Sequence, residues 1–173
     1  MSNSVSLRPS TKDDQEFLLR VYAGTRQEEM ALWSWSATQQ SAFLSMQYEA
    51  RKHSYSITHP SAEVRVIYLG DEPIGSIIVS RSSVEIRLVD IALLPQHRNG
   101  GIGTRLIREL IAESRSAKLP LRLNVLGGNR AKRLYERLGF ALKTNDAMYC
   151  EMEFRDSRVS STDPAAEASS HVR

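Results

Sequence analysis

Apolar residues recur along this chain in two rhythms, one of two residues and one near 3.6, and their succession predicts the order of elements. Residues 5–8 read as a short first strand. Thr11-Lys12-Asp13-Asp14 supplies cap candidates for a helix that carries Phe17, Leu18, Val21 and Tyr22 on one face. A second helix begins near Ser36 or Thr38 and carries Ala42, Phe43, Met46 and Ala50, and residues 56–60 read as a loop. Residues 63–69 and 74–80 are strands joined by a Gly70-Asp71-Glu72-Pro73 turn. Residues 83–94 form a long strand that ends at Pro95. Strict alternation places its Glu85, Arg87, Val89, Ile91 and Leu93 on one face and Asp90 on the other. Residues 102–114 form a helix with Ile102, Leu106, Ile107 and Leu110 inward. A strand at 121–126, a helix carrying Ala131, Leu134, Tyr135 and Leu138, a short strand at 141–143, a turn at 144–146 and a last strand within 148–154 complete the series.

The junction between the long strand and its helix carries the chemistry. Arg98-Asn99-Gly100-Gly101-Ile102-Gly103-Thr104 is basic and rich in glycine, and it opens a helix. Such a loop turns backbone N–H groups toward its hollow, and the positive end of the helix dipole favours an anion there. The glycines let main chain approach a bulky phosphate. Two familiar phosphate loops do not fit. A P-loop needs Gly-Lys-Ser/Thr, but Gly103 is followed by Thr104. A dinucleotide fingerprint needs a third glycine where Leu106 stands and an acidic residue downstream, and none occurs between Pro120 and Tyr135.

What remains, Arg98-x-x-Gly101-x-Gly103, resembles the pyrophosphate loop of the GNAT acetyltransferases, whose pattern is Gln/Arg-x-x-Gly-x-Gly/Ala. The segment from Asn129 to Phe140 resembles the second landmark of that family, Asn-x-x-Ala-x-x-Leu-Tyr-Glu-x-Leu-Gly-Phe, through Ala131, Leu134, Tyr135, Glu136, Leu138, Gly139 and Phe140. Asn129 stands two residues before Ala131, and Gly128 holds the family's Asn position. The resemblance covers about residues 62–154. It implies an α/β (α+β) fold: one domain over residues 1–155, with a mixed central sheet of about seven strands and about four flanking helices. Residues 156–173 are polar and charged and are expected to form a disordered tail.

The resemblance also implies an N-acetyltransferase that moves an acetyl group from acetyl-CoA to an amine by direct attack. Backbone groups of Ile91 and Leu93 would pair with the pantetheine arm. Arg98, Asn99, Gly100, Gly101, Ile102, Gly103 and Thr104 would hold the pyrophosphate, with Asn129 and Lys132 adding contacts. Tyr135 would contact the cofactor and protonate the leaving thiolate. The family's base position on the long strand falls on Arg87, whose guanidinium stays protonated and cannot act as a base. Glu85, two residues upstream, is the candidate base, and a simple ion pair is its other reading. The acceptor would meet the N-terminal helices, where Glu28, Glu29, Trp33 and Trp35 suit a cationic amine; the alternative is that the tryptophans cover core and the glutamates face water. An acyl-CoA-binding domain without turnover on the same fold is the rival function.

Composition narrows the setting. A chain of 173 residues with a formal charge of +3 suits one globular domain and does not call for nucleic acid. No apolar run is long enough for a membrane span. Cys150 is the sole cysteine, so no internal disulfide forms. It reads as a packed residue in a reducing, cytoplasmic setting. His53, His59, His97 and His171 are scattered, and no metal site is expected. The acceptor is an amine on a small molecule or a protein; a homodimer is left open, as dimers are common in the resembled family.

Overall fold

The computed structural model describes residues 4–146 and 148–155; the tail expected beyond residue 155 lies outside them. Seven strands form one sheet in the order β1-β2-β3-β4-β5-β7-β6. They are β1 Val5–Pro9, β2 Ala62–Leu69, β3 Glu72–Arg81, β4 Ile86–Leu93, β5 Leu121–Leu126, β6 Ala141–Asn145 and β7 Tyr149–Phe154. The helices are α1 Gln15–Met30, α2 Ala37–Thr58, α3 Ile102–Ala117 and α4 Ala131–Arg137. Every neighbouring pair is antiparallel except β4 and β5. This is the predicted mixed sheet with four helices, in one domain.

The main core lies between the sheet and α3 with α4. Leu106, Ile107, Leu110 and Ile111 of α3 meet Ile77, Val79, Leu88, Leu121 and Leu123 of the sheet, with Phe140 and Phe154 beside them. Cys150 is buried there as predicted, at 3% exposure. A smaller cluster of Phe17, Val21, Ala92 and Leu94 seats α1 on the other face of β4. Among the described residues no helix is long and apolar enough to cross a membrane.

Several boundaries move, β3 to Glu72–Arg81 and α3 on to Ala117 among them. The α2 start is as predicted: Ser36 accepts from the Gln39 N–H while Gln39 Oε1 accepts from the Ser36 N–H at 2.9 Å. The helix then runs through the predicted loop to Thr58. Its last turn absorbs hydroxyls locally, with Ser56 Oγ donating to His53 O and Thr58 Oγ1 to Ser54 O. Ala42, Phe43, Met46 and Ala50 are not its packed stripe, since no residue of α2 is buried and Met46 is exposed. β4 begins at Ile86 rather than 83, because Ser82 folds a tight turn over Glu85. β6 extends to Asn145, so the following turn centres on Asp146, whose carboxylate accepts from the Met148 and Tyr149 N–H groups.

The larger correction concerns β4. Its register against β3 slips between Ile78 and Val79, so Ile78 faces Asp90 and Val79 faces Leu88, with Val89 as the extra residue. Ile86 and Leu88 before the bulge and Ile91 and Leu93 after it all meet the α3 core. Arg87, Asp90 and Ala92 therefore share the opposite face, toward α1 and α2. The predicted row of Glu85, Arg87, Val89, Ile91 and Leu93 does not exist.

Gly75 fixes how closely β3 and β4 approach. A Cβ built there would lie 2.3 Å from Ala92 O and 2.8 Å from Leu93 Cδ2. Neither strand can retreat without breaking the ladder. Gly75→Ala is expected to cost about 2–3 kcal/mol, read as a shift of the urea midpoint with unchanged slope. A midpoint equal to the parent's would show that the two strands separate freely.

Candidate active site

The site starts where β4 and β5 stop pairing. They are parallel neighbours only at Ile86–Leu121, Arg87–Arg122 and Leu88–Leu123. Beyond Leu88 the strands diverge and leave a notch. Leu94 N donates to Ile74 O across β3. Since backbone groups alternate sides along an antiparallel strand, Ile91 and Leu93 turn theirs into the notch. This is the geometry predicted for those two residues, with one change: Leu93 O already accepts from Arg98 Nε at 2.9 Å.

Arg98 is thereby placed differently from expectation. Its Nη2 donates to Gly24 O on α1 at 2.9 Å, so the guanidinium ties the loop to β4 and α1. Positive charge for a phosphate does not come from its free end. The loop itself is open. Asn99 and Gly101 adopt left-handed φ angles of 63° and 81°, and Gly101 is the N-cap of α3 without a side-chain cap bond. The N–H groups of residues 99–104 have no acceptor among the described residues. A Cβ at Gly100 or Gly101 would meet nothing within 4 Å, and one at Gly103 would meet only Ile91 Cδ1, at 4.0 Å. Bare amides beneath clear space at a helix N-terminus fit a pyrophosphate.

The opposite wall is α4. Its C-terminus closes with Phe140 N donating to Tyr135 O and Gly139 N to Glu136 O, Gly139 taking a φ of 93°. That turn folds Phe140 onto Tyr135, ring centroids 5.6 Å apart. Tyr135 is buried as its helical spacing predicts, yet its hydroxyl has no hydrogen-bond partner among the described residues. Burial, and then the charge of Asp90, push this phenol up to about 12. Asn129 Oδ1 accepts from the Ala131 N–H at 2.9 Å, so its side chain serves the start of α4. Lys132 lies 4.0 Å from Glu136.

On the α1–α2 face of β4 lies a cavity of about 300 Å³. Its walls include Tyr22 of α1, Tyr48, Arg51 and Tyr55 of α2, and Ser76 and Asp90 of the sheet. Arg51 Nη2 pairs with Asp90 Oδ1 at 2.6 Å and its Nε donates to Tyr55 Oη at 3.0 Å. The guanidinium also stacks 5.3 Å from the Tyr22 ring centroid and 5.0 Å from that of Tyr55. Burial pushes the Asp90 carboxyl up; Arg51 opposes this without cancelling it. The Asp90 side chain keeps 23% of its surface open. Sequence reading set Asp90 aside as structural and did not single out the stripe at helical spacing that lines this cavity with it, Tyr48, Arg51 and Tyr55, polar where a packed helix face is apolar.

Glu85 sits in a different setting. Arg87 Nε reaches it at 2.7 Å and Arg122 Nη1 at 2.6 Å, while Arg87 also pairs with Glu151 and Arg122 with Glu153. Burial raises the Glu85 carboxyl, but the two guanidinium groups hold it below the ordinary range. A carboxylate so engaged is a weak proton acceptor. Glu28 and Glu29 are exposed, with Glu29 paired to Arg26. Trp33 and Trp35 stack on each other and on Phe43 at the α1–α2 junction. None of these four lines the cavity. Among the described residues no group of His, Cys, Asp or Glu is placed to hold a metal ion.

The comparisons agree with this geometry. The family model of the acetyltransferase (GNAT) domain matches residues 60–142. Solved structures share the fold at low identity. The PaiA N-acetyltransferase of Thermoplasma acidophilum, in complex with coenzyme A, is 19% identical, with 88% of this chain and 99% of that one covered and a TM-score of 0.66. An acetyltransferase from Thermus thermophilus is 17% identical, with 89% and 98% covered and a TM-score of 0.64. The Campylobacter jejuni N-acetyltransferase PseH, in complex with acetyl coenzyme A, is 16% identical, with 89% and 100% covered and a TM-score of 0.58. No curated protein matches this chain. With its split β4–β5 pair and its open amide loop the chain shares the GNAT fold of these structures, and residues 60–142 match the acetyltransferase (GNAT) domain model.

Proposed function

We propose that the protein is an acetyl-CoA-dependent N-acetyltransferase. The observation that carries this reading is the meeting of three features at one point of β4: the notch, the unpartnered Tyr135 hydroxyl, and the cavity that opens on Asp90. The loop amides of residues 99–104 and the notch-facing backbone of Ile91 and Leu93 would hold the cofactor, which supplies the acetyl group as a thioester. The cavity on the far side of β4 takes the acceptor. Asp90 accepts the proton of the attacking amine, directly or through water, and its raised affinity for protons suits that task. As the N–C bond forms and the C–S bond breaks, Tyr135 gives its proton to sulfur and is reprotonated from solvent. Glu85, the base expected from the sequence, keeps the Arg87–Arg122 ladder together in this scheme.

Release of free thiol from acetyl-CoA in the presence of an amine panel tests the assignment. Amine-dependent thiol release, together with micromolar binding of coenzyme A, is the expected result. Binding without any amine-dependent release would assign the chain to the non-catalytic acyl-CoA-binding class. Absence of binding would refute both.

A further inference from the structure

The charge of the cavity limits what it can admit. Arg51 and Lys52 are both in its lining, and Asp90 is the one acid there among the described residues. His59, also in the lining, has its pKa lowered by burial and by Arg87, and stays neutral near pH 7. A polyamine or an aminoglycoside-like polycation would find a single carboxylate, already paired with Arg51 at 2.6 Å. Arg51 Nη1 donates no hydrogen bond among the described residues. The Lys52 ammonium reaches Gln15 Oε1 at 3.0 Å and the exposed Glu49 at 3.2 Å, and lies 5.9 Å from the Tyr48 ring centroid. Such surface contacts yield readily to a ligand. A volume of about 300 Å³ holds the equivalent of about ten waters, which suits a molecule of amino-acid size and not a folded protein surface. Tyr22, Tyr48 and Tyr55 give it flat apolar walls with polar tips.

We infer that the acceptor is a small amine that also carries a carboxylate, its nitrogen directed to Asp90 and its carboxylate to Arg51 Nη1 and Lys52 Nζ. The inference rests on the cavity being the acceptor side of acetyl transfer. Two cations next to each other on α2 then discriminate for the anionic end, while the amine meets the lone acid of the cavity. A charge-assisted contact of this kind favours the acid over its amide by roughly 10- to 100-fold.

The test compares the common amino acids with their carboxamides, with a linear triamine and with a lysine-bearing tetrapeptide. Each is measured by thiol release and by calorimetric titration into the full chain with coenzyme A present. The expected result is at least one amino acid preferred over its own amide by roughly 10-fold or more in both readouts. Lys52→Met, which removes a cation from an exposed position, should cut that preference at least several-fold and leave the Kd for coenzyme A unchanged. Equal binding of acid and amide across the panel, preference for the triamine or the tetrapeptide, or a preference untouched by Lys52→Met would each overturn the inference. Coenzyme A titrated alone reports separately on the acetyl-transfer reading. The acid-against-amide titration decides the acceptor class whether or not the cofactor binds.

Discussion

Gly103→Val should abolish measurable coenzyme A binding while leaving the fold at least as stable as the parent. The two halves of that expectation have separate causes. Gly103 lies in the first turn of α3 at an ordinary helical φ, and a Cβ there meets only Ile91 Cδ1, at 4.0 Å. Glycine is the poorer helix former, so valine is neutral or stabilising by up to about 0.5 kcal/mol. The added methyl groups would stand over Ile91, on the line between the β4–β5 notch and the open amides of the loop. A ligand spanning both must cross that line. Loss of affinity of roughly 100-fold or more, about 2.7 kcal/mol, is expected in a calorimetric titration. Gly101→Val makes the contrast. Its φ of 81° is unfavourable for any side chain with a Cβ, so that variant loses about 1–2 kcal/mol of stability as well as binding. Unaltered affinity in Gly103→Val would show that the loop is a plain strand–helix turn with no phosphate in it.

That contrast also shows which parts of the site could be read in advance. The loop was legible because its chemistry is main-chain chemistry, and glycine spacing before an amphipathic helix declares it directly. Tyr135 was legible for a similar reason: Leu138-Gly139-Phe140 sets a helix stop that folds Phe140 back onto it. The bulge at Val89 was missed, although its trace is present. Apolar residues fall at 86 and 88, then at 91 and 93, so the alternation changes phase between them. Holding one phase through residues 85–93 put Asp90 on the wrong face and elevated Glu85. Tryptophans near glutamates look like a cation site in one dimension. In the fold Trp33 and Trp35 stack on Phe43, while the cations that line the cavity, Arg51 and Lys52, come from α2. Arg98 shows the same limit: spacing identified the residue, but only the packing of α1 against the loop revealed two carbonyls for its guanidinium.

Tyr135→Phe should lower kcat roughly 100-fold, with little change in stability or in the Kd for coenzyme A. The stability half follows from the packing. The ring stays against Phe140 in either variant, and the hydroxyl that is removed has no partner to strand among the described residues. The catalytic half follows from the proton. Burial and the nearby Asp90 charge hold the Tyr135 proton up to about 12. The phenol is therefore still a donor at pH values where a free tyrosine has begun to ionise, and the parent's rate should not fall on its account between pH 9 and about 11. On the acid side the rate requires an ionised Asp90. Its pKa is raised, so activity is lost as pH falls through a value above the ordinary aspartate range. Arg51 pairs with that carboxylate, whose charge also reaches Tyr55 and Tyr135, and the amine adds an ionisation of its own. Asp90→Asn separates these contributions: only the limb due to Asp90 disappears, whereas that of the amine persists. Tyr135→Phe with full turnover at every pH would remove the proton donor from the scheme. An acid limb unchanged in Asp90→Asn would send the base back to another residue, with Glu85 the first to re-examine.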